Sequence, residues 1–417
     1  MPTPKHFKKL CQLKSLRAAW KVVQQSGLTS LSEDSQQEVR EFANGSEQKF
    51  RALLNDLRTD KFQFSPAKAI AVKKRGKSTK RPIVLAPVRN RIVQRAMLDV
   101  VQSIKSIRKI LQSGFNLGGI DGGGVPKAIR LAFQASSIQS YFIRSDIKGF
   151  FDNVPREAAI RMVTAHLGDD KSFEALFRSA VNVELSNLAA LPEDERSLFP
   201  SDEIGVAQGS ALSPLICNVY LSDFDAALNG RGILCYRYID DFILFGPSRK
   251  AVRSAFKSCQ RILKGLGLVA YDPKVAPGKA EEGLVTDGFE FLGCEIKHGR
   301  VIPNAESRAR LITKIDEIFR RSLKYARYSA TRRPEKLSLA DALSRASNTI
   351  RGWGNTYFFC NDERVFDQLD AEMNEKVTTF LARYLKRIEK LPAGDRRRSL
   401  GVRLLSARNR DPKFLLS

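Results

Sequence analysis

The chain has 417 residues, 43% of them hydrophobic, which is enough to bury a large core in two or three domains and too much for wholesale disorder. Its 70 Lys and Arg against 45 Asp and Glu leave a formal charge of +25, and a partner made of phosphates is the natural reading of that excess. Three classes are excluded: no apolar run is long enough to span a bilayer, the N-terminus has no apolar signal region, and six scattered cysteines without a Cys-x-x-Cys pair fit a reducing cytoplasm and not a disulfide framework or zinc site.

Residues 1–60 read as helices. Leu10, Leu13, Leu16, Trp20 and Val23 recur near helical spacing, as do Phe50, Leu53, Leu54 and Leu57, with breaks at Gly27 and Asn44-Gly45. Over residues 69–85, two β-like runs flank a basic turn that contains Lys74 and Gly76, which predicts a hairpin with Arg81 just inside its second strand. A helix starts at Val88, and its arginines face either nucleic acid or scaffold. Residues 113–129 are the most glycine-dense stretch, suited to close approach to a phosphate backbone or to a flexible connection. Residues 141–146 form a short strand ending in the carboxylate of Asp146. Gly149, Phe150, Phe151 and Asp152 follow, with Asp152 placed to cap or brace the helix after Pro155.

Residues 184–203 are acidic and proline-bearing and read as a surface loop. Gln208-Gly209 opens a small-residue loop that runs into a helix begun by Ser213-Pro214. Two apolar runs, 233–238 and 242–245, predict a hairpin whose turn holds Asp240 and Asp241. Adjacent carboxylates beside apolar walls repel each other and resist desolvation, so a positive group must meet them: an arginine, or a divalent cation, which hard oxygen ligands suit. A helix over 252–266 and strand-like segments at 269–274 and 288–294 come next. From residue 305 the pattern is helical, with Leu311, Ile315, Ile318, Phe319 and Leu323 on one face and Arg308, Arg310, Lys314, Arg320, Arg321, Lys324 and Arg327 around the rest. A second helical segment carries Arg351-Gly352-Trp353, a third spans 377–388, and the chain closes in a basic tail.

A carboxylate closing a strand, a Gln-Gly loop and a Tyr-x-Asp-Asp hairpin, in that order, resemble the palm of reverse transcriptases. The likeness is greatest to bacterial enzymes related to group II intron reverse transcriptases, including free-standing defence-associated members. It covers roughly residues 60–390. The resemblance implies an α+β right-hand polymerase: a helical extension at 1–60, fingers and antiparallel-sheet palm at 61–300, a three-helix thumb at 301–395 and a basic tail at 396–417. It also implies that Asp146, Asp240 and Asp241 are the catalytic set and, with the backbone carbonyl of Ile147, hold two Mg2+ ions, Mn2+ being a substitute. Arg81 and Lys74 match the family's triphosphate-binding positions. Phe151 matches its steric gate against a ribose 2′-hydroxyl, Gln208 and Gly209 its loop on the nascent pair, and Lys274 its contact to pyrophosphate. Phe291-Leu292-Gly293 matches the primer grip. The glycine stretch stands where the family meets its template, with Asn116 and Leu117 in place of arginine and proline.

The expected activity is magnesium-dependent, RNA-templated DNA synthesis, with an RNA template, dNTPs and a DNA product as partners, no membrane, and a second copy or a partner protein as further company. The N-terminus lacks a Gly-Ile-Asp-Gly signature, and the chain's histidines are His6, His166 and His298, so no histidine-based endonuclease is expected after the thumb. These features favour a free-standing cytoplasmic enzyme serving a dedicated noncoding RNA in antiphage defence. A group II intron maturase is the alternative, and a catalytically relict RNA-binding protein the alternative of another class.

Overall fold

The computed structural model describes residues 5–30, 32–73, 79–182, 184–200, 203–230, 232–326, 328 and 337–402. The chain divides into two compact units, Met1–Val285 and Thr286–Ser417. The division falls before residue 289, so the strands expected to end the palm fold with the helical unit.

In the first unit, helices α1 (Lys5–Leu10), α2 (Leu13–Leu28), α3 (Glu33–Ala43) and α4 (Ser46–Arg58) lead into the hairpin β1 (Lys68–Lys73) and β2 (Lys80–Leu85). The Ser32 side chain caps α3 by accepting from Ser35 N, and Gly45, at φ 73°, turns the chain into α4. Then follow α5 (Val88–Gln102), α6 (Lys105–Leu111) and α7 (Val125–Ser136). Helix α5 is buried over most of its surface, and Trp20, Phe50, Ile92, Met97, Phe150 and Leu215 belong to one continuous apolar cluster. The N-terminal helices therefore share the core of the sheet that follows. Each such side chain withdrawn from water stabilises the fold by about 1.5–3 kcal/mol. The α5 arginines are scaffold: Arg89 reaches Asp56 at 2.6 Å, Arg91 Glu38 at 3.3 Å and Arg95 Asp99 at 2.7 Å.

The remaining elements are β3 (Tyr141–Asp146), α8 (Phe150–Asn153), α9 (Arg156–Thr164), α10 (Lys171–Val181), α11 (Glu193–Arg196), α12 (Ser213–Tyr220), α13 (Ser222–Ala227), β4 (Leu234–Tyr238), β5 (Asp241–Gly246), α14 (Arg249–Gly265) and β6 (Glu281–Leu284). The strands form an antiparallel sheet in the order β4-β5-β3-β6. Cross-strand partners share a face. One face therefore carries Phe142, Arg144 and Asp146 beside Phe245, Ile243 and Asp241; the other carries Ile143 and Ser145 beside Leu244 and Phe242. Helix α14 covers the second face, where Phe256 stacks on Phe242 at 6.4 Å.

Of the expected surface loop at 184–203, residues 184–200 are instead a wrap around the β1–β2 hairpin, and residues 201 and 202 lie outside the described residues. Ala67 N donates to Glu184 O, Ser186 N to Ala67 O, and the Asn187 amide exchanges hydrogen bonds with the backbone of Ala69. Leu185, Leu188, Leu191, Leu198 and Phe199 pack on Ala67, Ala69 and Val84, while Lys80 reaches Glu195 at 2.6 Å and Asp194 at 3.3 Å. Leucines spaced between acidic and proline residues carry the wrap, and the acids face the strand's lysine.

The second unit opens with a meander of β7 (Phe289–Phe291), β8 (Cys294–Lys297) and β9 (Arg300–Pro303) and continues through α15 (Ala305–Tyr325), α16 (Leu339–Thr356), α17 (Glu363–Ile388) and α18 (Ala393–Ser399). Asn304 caps α15, and a reciprocal Ser338–Asp341 box caps α16. Phe319 stacks on Phe380 at 4.2 Å, Asp316 meets Lys376 at 2.9 Å and Arg387 donates to Leu323 O, so α15 and α17 run in the same direction. Helix α17 begins at Glu363, well before the expected residue 377, because Val365, Leu369 and Met373 extend its buried stripe backward at four-residue steps. Of the basic tail, Ala393–Ser399 is helical, and residues 403–417 lie outside the described residues.

Candidate active site

The three aspartates converge through the sheet. Tyr238 pairs with Asp241, leaving Ile239 and Asp240 as a two-residue hairpin loop, and Asp146 stands directly across from Asp241 on the neighbouring strand. Ile147 N donates to the Asp240 carbonyl at 3.0 Å, tying the end of β3 to the turn. On its other side Ile147 pairs with Ala270, where Tyr271 N donates to Asp146 O and Lys148 N to Val269 O. The carbonyl of Ile147 accepts no hydrogen bond among the described residues, as a ligand position requires.

These carboxylates are electrostatically uncomfortable. Burial, then the Asp240 charge, push Asp146 up to about 6, against the pull of Lys279, whose ammonium lies 3.6 Å from Asp146 Oδ2. Burial, then Asp240 and Asp146, push Asp241 up to about 7. Asp146 Oδ1 is buried without a hydrogen-bond partner. Orphaned hard anionic oxygen beside two more carboxylates fits Mg2+ or Mn2+. Among the described residues no three acidic, histidine or cysteine side chains are gathered around one point.

Sequence reasoning missed what holds the turn. Ile239 has φ 60°, a left-handed conformation that a β-branched residue adopts at a cost of about 1–3 kcal/mol. Beneath it lies Arg237, fully buried, whose Nη1 donates to Ile239 O at 2.9 Å and to Asn218 Oδ1 at 3.0 Å. Its other nitrogens grip both oxygens of Asp225, at 2.7 and 2.5 Å. Asn218 in turn donates to Gly118 O at 2.9 Å, and a Cβ on Gly118 would stand 2.6 Å from Ile239 N. Part of the glycine-dense stretch is therefore a packed support for the Asp-Asp turn: Asn116, Leu117 and Gly118 are buried, whereas Asp121 and Gly122 are exposed and a Cβ on Gly114 or Gly122 would meet nothing. Strand alternation was the available signal: Arg237 shares the parity of buried Cys235, and a cation so placed demands an acid.

The remaining predicted residues divide. Phe150 is buried, while Phe151 is half-buried beside it at 5.8 Å and offers its carbonyl to Val206 N. Gln208 Nε2 donates to Asp152 Oδ1 at 2.8 Å, so Asp152 braces the Gln-Gly loop, and α9 has no side-chain cap. Gly209, at φ 116°, has room for no side chain because Val84 O would lie 2.6 Å from its Cβ, while Val84 N donates to Gln208 O at 2.7 Å. On the side where a Cβ would stand, the space is taken by the backbone of β2. Arg81 is exposed in β2 opposite Val72 and has no acidic partner among the described residues; Lys74 lies outside them. Lys274 is exposed and engages Asp272 through its backbone amide, and the lysine at Asp146 is Lys279, which also lies over the Tyr271 ring at 5.8 Å.

The primer-grip residues belong to the second unit. They form a hairpin end and not the continuous strand expected: Phe291 pairs with Cys294, and Leu292 and Gly293 form the loop at φ 47° and 82°. Tyr357 donates its hydroxyl to the Ser307 hydroxyl oxygen at 2.8 Å, and both oxygens crowd Gly293, so the thumb-like segment braces the turn. Trp353 is partly buried against Tyr357 and Phe366.

Among known proteins, YkfC of Escherichia coli K12 is 26% identical over 282 residues, which cover 58% of this chain and 69% of that protein. The group II intron-encoded protein LtrA of Lactococcus lactis is 23% identical over 181 residues, covering 43% of this chain but 28% of LtrA, so the chain spans little more than a quarter of that relative. A solved Candida albicans telomerase in complex with a fragment of telomeric RNA aligns with 82% of this chain and 64% of its own at 11% identity and a TM-score of 0.43. The family model described as reverse transcriptase (RNA-dependent DNA polymerase) matches residues 72–296, more than half of the chain, and the chain belongs to that family, related to the reverse transcriptases of group II introns.

Proposed function

We propose that the chain copies RNA into DNA, extending a 3′-hydroxyl primer with divalent cations held by Asp146, Asp240, Asp241 and the Ile147 carbonyl. The observation that carries this reading is Asp146 standing across from Asp241 with a buried oxygen that nothing satisfies. When bound there, magnesium supplies a lowered pKa for the primer hydroxyl and neutralises the departing pyrophosphate. The chain's own groups hold and select: Arg237 and Gly118 fix the turn, Asp152 orients Gln208, Arg81 meets the triphosphate, and Phe151 excludes a 2′-hydroxyl. Extension of a DNA primer annealed to RNA tests this directly. Asp240→Asn is expected to abolish it, and retained extension overturns the reading. In the same assay Phe151→Ala is expected to admit ribonucleotides; unchanged discrimination removes the gate.

The finer reading is a free-standing enzyme that copies a dedicated noncoding RNA in antiphage defence. It is supported by Asn116 and Leu117 standing where the group II family has arginine and proline. Sequencing the RNA copurified from cells, with any DNA copied from it, is expected to return one abundant RNA and its complement. Recovery of spliced intron flanks instead favours the maturase.

A further inference from the structure

Helix α14 carries no acidic residue, and its sequence alternates a buried row with a basic one. Val252, Phe256, Cys259 and Leu263 are buried, and Lys250, Lys257, Arg261 and Lys264 are exposed. At 100° per residue these four cations fall within an arc of about 60°, and at 1.5 Å rise they form a straight row about 21 Å long. The other two basic residues of the helix, Arg249 and Arg253, pair with Glu282, whereas the row has no acidic partner among the described residues. Ion pairs are available to this fold, as the arginines of α5 and Lys80 demonstrate, and the row is left without them.

The location is as informative as the charge. The buried side of α14 packs on the sheet face of Phe242 and Leu244, opposite the face that carries Asp146 and Asp241. A template–primer duplex lying on the catalytic face cannot also touch this row, which points away from it across the thickness of sheet and helix.

We propose that this row is a second nucleic-acid surface, which holds the phosphate backbone of a base-paired part of the template-bearing RNA outside the copying cleft. Like charges repel when unneutralised, and a duplex strand presents about one phosphate per 3.4 Å of axis, so the row spans about six of them. A membrane fits less well, because the residues among the cations are Ser254 and Gly265 and the apolar side of the helix is already buried. A protein partner fits less well too, because the row has no aromatic or aliphatic anchor at its centre.

The inference rests on the polymerase reading, and its test separates the two. The full chain and a variant carrying Lys250→Gln, Lys257→Gln, Arg261→Gln and Lys264→Gln are titrated with a long hairpin RNA across a salt series. Glutamine keeps helix propensity, and equal melting temperatures confirm an intact fold. The variant is expected to bind more weakly, with a slope of log K against log salt shallower by about three to four, while extension on a short unstructured template is unchanged. An unchanged slope overturns the surface, as does loss of binding to phosphatidylglycerol vesicles without loss of RNA binding. A wild-type chain that extends no primer sinks the polymerase reading alone, since the salt slopes still decide whether the row binds RNA.

Discussion

Arg237 and Asp225 form a fully desolvated pair, and such pairs are costly to break because the survivor is left charged and alone. Arg237→Met is expected to destabilise the first unit by about 3–5 kcal/mol, and adding Asp225→Leu should restore part of it, as read by urea melts. Arg237→Lys keeps the charge but cannot fork to Asp225 while reaching Ile239 O, so it should lower the maximal extension rate more than it changes KM for nucleotide. Equal loss of stability and rate in both variants would leave Arg237 a purely structural residue. The aspartates make a pH prediction of opposite character. Asp146 and Asp241 titrate at about 6 and about 7 in the fold against about 3.9 in an unfolded chain, so the native state holds their protons more tightly. Their contribution to stability is present below about pH 4 and is lost as pH rises through about 7. Added Mg2+ should therefore raise the melting temperature well above pH 7 and lose that effect below pH 6, and a shift independent of pH would contradict it.

Helices, strands and loops differed in how much the sequence disclosed of them. The catalytic hairpin was legible because β-branched and aromatic runs flank two acids, and its order after Asp146 and Gln208-Gly209 narrowed the architecture. The glycine stretch and residues 184–200 were not, because each is defined by what it touches. Glycine density signals freedom until Ile239 is seen filling the space at Gly118 and Gly119, and acids with proline signal solvent until Lys80 and Ala67 are seen beneath them. Gly118→Ala should consequently cost extension through the turn: at least a tenfold loss in rate is expected, with hairpin RNA affinity intact, and an unaffected rate would show that the turn yields at no cost.

The whole molecule carries its apolar residues in separate cores, one running from α1 through the sheet and another among α15, α16 and α17. Two unfolding transitions are expected in calorimetry, only the first of them responding to Mg2+; a single transition would mean that the cores melt as one cooperative body. Charge was readable from composition, but its distribution was not. The count of 70 basic residues does not distinguish Arg237, buried under the turn, or Arg91, paired with Glu38, from the outward row on α14.

The left-handed Ile239 has a consequence for how activity is acquired. A loop that its own residues disfavour has no reason to exist in a nascent chain or an excised peptide. It is imposed from below by Arg237 and Gly118, which themselves depend on Asn218 and Asp225 from a different part of the fold. The acids are therefore presented only once tertiary packing is complete, and a partly folded chain is a silent one.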